Sequence, residues 1–198
     1  MPIRCVVTGH DAQSKAVFVS DEVAKTRPLT VFDPFEFTKL WSGDAVPGFP
    51  NDGGQPGGRS FFPPPGGVRF FKMTVPPPSG LSLSPEQRAV GFAEMEEIVP
   101  GLAPYMERAN PGMHTSDSID FGYVISGEIW LELDGGVQKL LRAGDTFVQS
   151  ATRHAWRNKS SSPCSILFVI VGALREPTGL SLVNRDADTS QGEGARGA

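Results

Sequence analysis

Three side chains in the second half of the chain have types and spacing that could do chemistry: His114, Asp120 and His154. In an extended strand, residues two apart share a face. If 114–120 is extended, His114, Ser116, Ser118 and Asp120 therefore point the same way. On a second segment Thr152, His154 and Trp156 do likewise. A histidine and a carboxylate that face a histidine on a neighbouring strand make a two-histidine, one-carboxylate set. Such a set leaves room for water or substrate on a divalent metal, with iron, manganese, nickel and zinc all suited to the donors. With no metal, Asp120 can orient a histidine as a general base. Met113, Tyr123, Phe147 and Trp156 are candidates for an apolar pocket wall suited to an aromatic or small polyketide-like substrate. Ser116 and Gln149 would add polar groups to that pocket. Arg153 adjoins an inward histidine, so parity turns it outward, and Asp145 follows Gly144 in a turn, where a structural hydrogen bond is expected.

The elements that must position these groups are mostly strands. From Asp120 onward they come densely: 120–125, 128–133, 137–141, 146–149, 154–158 and 164–171. Asp134-Gly135-Gly136 supplies the positive φ angles of a tight hairpin turn. Upstream, 3–8 and 16–20 read as a hairpin with His10 in its solvated turn, and 35–41 and 68–75 as further strands. The segment 42–58, rich in Gly, Pro, Asn and Asp, is a loop that is either a connector or a cover for the site. One helix is expected. Ser84 is its N-cap, Pro85 its first residue and Gln87 the partner of a capping box, with Phe92, Met95 and Val99 on the inner face and Pro100-Gly101 as the stop. Many short strands with one peripheral helix predict an all-β sandwich or barrel of the jelly-roll kind.

Pro111-Gly112-Met113-His114 through Asp120 to Gly127 resembles the first cupin motif, and Gly144-Asp145 through His154 to Asn158 resembles the second. His114, Asp120 and Gly127 fall at the first motif's histidine, carboxylate and closing glycine; Gly144, His154 and Asn158 fall at positions of the second. Ser116 stands where another histidine is usual, Asp120 replaces glutamate, and Ser150 and Thr152 replace a proline and a glycine. The resemblance implies a double-stranded β-helix of the RmlC-like type. It would span 1–183 as a single domain, with its barrel at about 66–175, a β-hairpin extension over 1–65 and a helical insertion at 84–99; the polar, Gly-rich composition of 184–198 makes that stretch an expected disordered tail. It also implies an enzyme of decarboxylase, isomerase or dioxygenase type acting on a small carboxylate-, carbonyl- or phenol-bearing metabolite at a divalent metal held by His114, Asp120 and His154. A metal-free isomerase or cyclase using the same residues, and a non-catalytic ligand-binding barrel, are the alternatives. A homodimer is the assembly it implies.

The 198 residues carry a formal net charge of -4, with 18 Lys and Arg that form no run, so neither nucleic acid nor an anionic membrane is an expected partner. Only Cys5 and Cys164 occur, with no CxxC pair, and Cys164 opens an apolar run in which a thiol behaves as a small hydrophobe. Neither a signal-peptide core nor a membrane-length apolar stretch is present, so a cytoplasmic location is expected.

Overall fold

A computed structural model describes residues 2–31, 35–55, 57–80 and 83–175. The tail expected at 184–198 lies outside these residues. Eleven strands and one α-helix are present among them: β1 (Arg4–His10), β2 (Ala16–Val23), β3 (Thr26–Pro28), β4 (Glu36–Gly43), β5 (Val68–Val75), α1 (Pro85–Ile98), β6 (Ser118–Ser126), β7 (Glu128–Glu132), β8 (Gln138–Arg142), β9 (Thr146–Ser150), β10 (Ala155–Arg157) and β11 (Cys164–Gly172). Every strand pairing is antiparallel. A six-stranded sheet runs β3-β4-β5-β11-β6-β9, and a three-stranded sheet runs β10-β7-β8. The two enclose the core as an all-β jelly-roll barrel.

Alternation drives this closure. In β11 every second residue, from Cys164 through Ile166, Phe168 and Ile170, is buried, the pattern of a strand with one face on a core. Trp156 on the small sheet meets Phe147 and Phe168 on the large one, at ring-centroid distances of 4.6 and 5.7 Å. Glycine fits the turn from β6 to β7 because Gly127 has φ 77° and a Cβ there would sit 2.5 Å from the Pro163 carbonyl oxygen. The Asp134–Gly136 turn between β7 and β8 carries positive φ at both glycines, as expected.

Three features differ from the sequence reading. Strand β3 and a short 3₁₀ turn, Ala103–Tyr105, were not foreseen. Met95 and Val99 of the expected inner face pack on the core, joined by Ile98, but Phe92 is 48% exposed and Gly91 beside it is buried. At its described residues the 44–58 segment does not cover the histidines. It lies against the first hairpin, where the Asn51 carbonyl accepts from the His10 backbone N–H at 2.7 Å and Gly53 approaches Thr8 and Val19. His10 is consequently half-buried. No helix among the described residues is long and apolar enough to cross a membrane.

Candidate active site

His114 and His154 form an isolated antiparallel bridge, each backbone N–H donating to the other's carbonyl at 2.9 Å. This brings the two imidazoles together, with ring centroids 4.3 Å apart. Asp120 comes from β6, opposite Gln149 of β9, and turns inward by strand parity. All three are buried, and all three line one cavity of about 740 Å³. Its walls are mainly apolar: Trp156, Phe168 and Met73 from the barrel, Leu29 and Val31 from the segment after β3, and Met95 from α1. A volume of this size suits a drug-sized organic molecule.

The polar atoms behind the site fix its chemistry. His114 Nδ1 lies 3.1 Å from the Gly112 carbonyl oxygen and acts as donor to it, which leaves Nε2 as a lone pair. His154 differs. Its Nδ1 is 2.9 Å from the Thr152 carbonyl oxygen, an acceptor, and 2.9 Å from the Gln149 side-chain nitrogen, a donor. Either tautomer of His154 therefore keeps a partner at Nδ1, and Nε2 can donate or accept. The Gln149 amide also donates to the Thr152 carbonyl and hydroxyl. On the other side, Ser116 and Ser118 share a hydrogen bond of 2.9 Å, and the Ser118 hydroxyl donates to Asp120 Oδ1 at 2.7 Å.

Burial dominates the electrostatics. It pushes the Asp120 carboxyl up to about 6, against the opposing hydrogen bond from Ser118. It pulls His154 down to about 4, with the positive charge of a protonated His114 acting in the same direction, and it lowers His114 as well. At neutral pH the cavity thus holds two neutral imidazoles and a carboxylate close to its titration range. Burial also raises the Cys164 thiol to about 11, in keeping with an inert core residue.

The other expected pocket residues are distributed differently. Trp156 lines the cavity. Tyr123 does not: it is 46% exposed, because it lies an odd number of residues from the inward Asp120. Met113 and Ser116 are buried but outside the lining; Ser116 stands where another histidine is usual and supplies a hydroxyl to the Ser118–Asp120 chain. Phe147 is wall behind the wall, tilted against Trp156, edge-on to Phe168 and fitted into the space left by Gly122, where a Cβ would come within 2.0 Å of its ring. Gln149 positions His154 from behind. Arg153 faces away from the cavity and pairs with Glu107 and Asp134, while Asp145 accepts from the Arg142 backbone in its turn. The sequence reading missed the apolar cover from 29–31, Phe35, Met95, Leu102 and Met106. The only local hint of it was the amphipathic character expected of the helix.

As placed, His114, His154 and Asp120 do not make a metal's donor set. Among the described residues, no three His, Cys, Asp or Glu side chains are grouped to hold an ion. Ser116 stands where a third imidazole is usual, and one oxygen of the Asp120 carboxyl is already engaged by the Ser118 hydroxyl.

Residues 104–170 match the family model described as Cupin domain. The chain is 43% identical over 70 residues to Oryzines biosynthesis cluster protein J of Aspergillus oryzae, a match spanning 33% of this chain and 39% of that protein. It is 25% identical over 168 residues to the cupin-domain-containing oxidoreductase fogC of Aspergillus ruber, spanning 83% of this chain and 70% of that one. An RmlC-like cupin from Shewanella frigidimarina is similar at a TM-score of 0.38 and 13% identity, with 76% of this chain and 85% of the other covered. The matched residues carry both motifs, both histidines and strands β6 to β10, so 104–170 is the stretch of the chain that matches a cupin domain.

Proposed function

We propose that this chain is a cupin enzyme that moves protons on a small, largely apolar metabolite bearing a carbonyl or phenol group. The observation that carries the reading is the convergence of Asp120, His114 and His154 on one apolar cavity. Asp120, with a pKa of about 6, is matched to general-base work near neutral pH. Its Oδ2 takes the proton from a carbon next to the substrate carbonyl; the electron pair of that C–H bond becomes a C=C bond as the carbonyl π pair moves onto oxygen, giving an enolate. His154, as the Nε2–H tautomer, donates a hydrogen bond to that oxygen, while Gln149 N–H keeps its Nδ1 satisfied. His114 offers its Nε2 lone pair to a substrate hydroxyl. Return of the proton from Asp120 to the same or a conjugated carbon completes an exchange or an isomerisation. This isomerase type uses the three side chains themselves as acid, base and hydrogen-bond donor. The names of the curated relatives, a biosynthesis cluster protein and an oxidoreductase, support a small-molecule substrate and a catalytic role.

The test uses 2-tetralone, a bicyclic ketone that fits the cavity, in deuterium oxide between pH 6 and 8. Deuterium incorporation next to the carbonyl is followed by NMR. The protein should accelerate incorporation over buffer, and Asp120→Asn should slow it by about a hundredfold or more while leaving tetralone binding intact. Equal rates for the two proteins would sink the acid–base reading. Binding without any exchange would replace it with a ligand carrier.

A further inference from the structure

A second hollow, of about 280 Å³, lies where β3 and β4 meet the C-terminal end of α1. Its floor is aromatic: Phe37 lies 5.0 Å from Phe71 and 6.0 Å from Phe61 between ring centroids, and Trp41 stands in its wall. Phe61 and Phe71 line this hollow and the main cavity alike, so their rings partition the two. The rim is cationic, with Lys25, Arg27, Lys39 and Arg69 facing a single carboxylate, Glu97.

Two of these cations are committed. Arg27 pairs with Glu97 at 2.5 Å. Arg69 pairs with Asp44 at 2.6 Å and donates to the carbonyls of Gly43, Ser60 and Val68. Lys25 and Lys39 have no ion-pair partner among the described residues. The register explains why they meet: Thr26 pairs with Thr38 and Arg27 with Phe37, so one step beyond the ladder sets Lys25 opposite Lys39. Both then share the face that carries Arg27 and Phe37. Like charges directly across two strands repel, and an anion between them relieves the repulsion.

We propose that this hollow is a second binding site, for a small aromatic carboxylate. Its ring would lie on the phenylalanine floor beside Trp41, and its carboxylate between the ammonium groups of Lys25 and Lys39. Apolar walls with a few convergent charges are the usual composition of a small-molecule site. The proposal stands apart from the proton chemistry of the main cavity.

The probe is 2-naphthoate, titrated at low salt into the full chain while tryptophan fluorescence is read, with 2-naphthamide as the uncharged ligand of the same shape. Naphthoate should saturate a quench that disappears in Trp41→Phe. The amide should bind about tenfold more weakly, and the double variant Lys25→Glu/Lys39→Glu should lose a similar factor. Lys25→Arg/Lys39→Arg should retain binding, which separates lost charge from lost structure. Excess 2-tetralone should leave naphthoate affinity unchanged. Equal binding of acid and amide, a quench that survives Trp41→Phe, or competition by tetralone would each overturn the assignment.

Discussion

Burial moves Asp120 and His154 in opposite directions, and their contributions to stability therefore oppose each other across the same pH range. The native Asp120 carboxyl binds its proton more tightly than the unfolded one, at about 6 against an ordinary 3.8. Its ionisation thus costs stability fully above about pH 6 and not at all below about 4. Asp120→Asn should be more stable than the parent by about 2 kcal/mol at pH 8, the gain vanishing as pH falls toward 4. His154 is held neutral, at about 4 against 6.5. The unfolded histidine protonates first on acidification, so this group removes stability as pH falls through 6.5 toward 4, and His154→Gln should flatten that loss. Urea denaturation from pH 4 to 8 checks both; curves for Asp120→Asn that run parallel to the parent at every pH would refute the burial argument. The reactive residues themselves were readable in the sequence, because strand parity and motif spacing both point at them. Tyr123 is aromatic enough to suggest a pocket wall, but its odd offset from Asp120 turns it to solvent. The role of Gln149 was hidden because its partner, the Thr152–His154 corner, exists only after β9 and the bridge to His114 form.

Among the elements, α1 and the segment after β3 act as one cover. Glu94 of α1 accepts from the Thr30 backbone N–H at 2.8 Å, the Thr30 hydroxyl at 2.8 Å and the Val31 N–H at 3.2 Å. Charge-assisted bonds of this kind hold the Leu29–Val31 stretch over the cavity. Glu94→Gln keeps the size but weakens the acceptors. Amide exchange at 30 and 31 should quicken by about tenfold, while exchange in β11 stays unchanged; unchanged protection at Thr30 would show that the tie is not Glu94. The strands of the barrel were legible because each carries its own alternation, β11 most plainly. The helix was legible at its ends, where Ser84 and Gln87 form the expected capping box. Met95 and Val99 of its inner face pack inward as expected, whereas Phe92 is exposed and the buried Gly91 is a position that a hydrophobic count passes over. The cover joins positions more than sixty residues apart, and no local periodicity announces such a contact.

For the whole molecule, the arrangement of donors decides what the protein carries when purified. After incubation with iron, manganese, nickel and zinc salts and removal of excess, elemental analysis should find less than about one tenth of an ion per chain. A stoichiometric ion that is lost in both His114→Ala and His154→Ala would overturn the metal-free reading. The division of labour between barrel and cover reaches further. The acid–base groups all lie within 104–170, whereas Leu29, Val31, Phe35, Met95 and Leu102, which shape the chamber, precede that stretch. Selection acting on the leading third of the chain and on α1 can therefore retune which molecule is admitted without disturbing the proton chemistry. Grafting another cupin's cover onto this barrel should alter the guest and keep the pH profile.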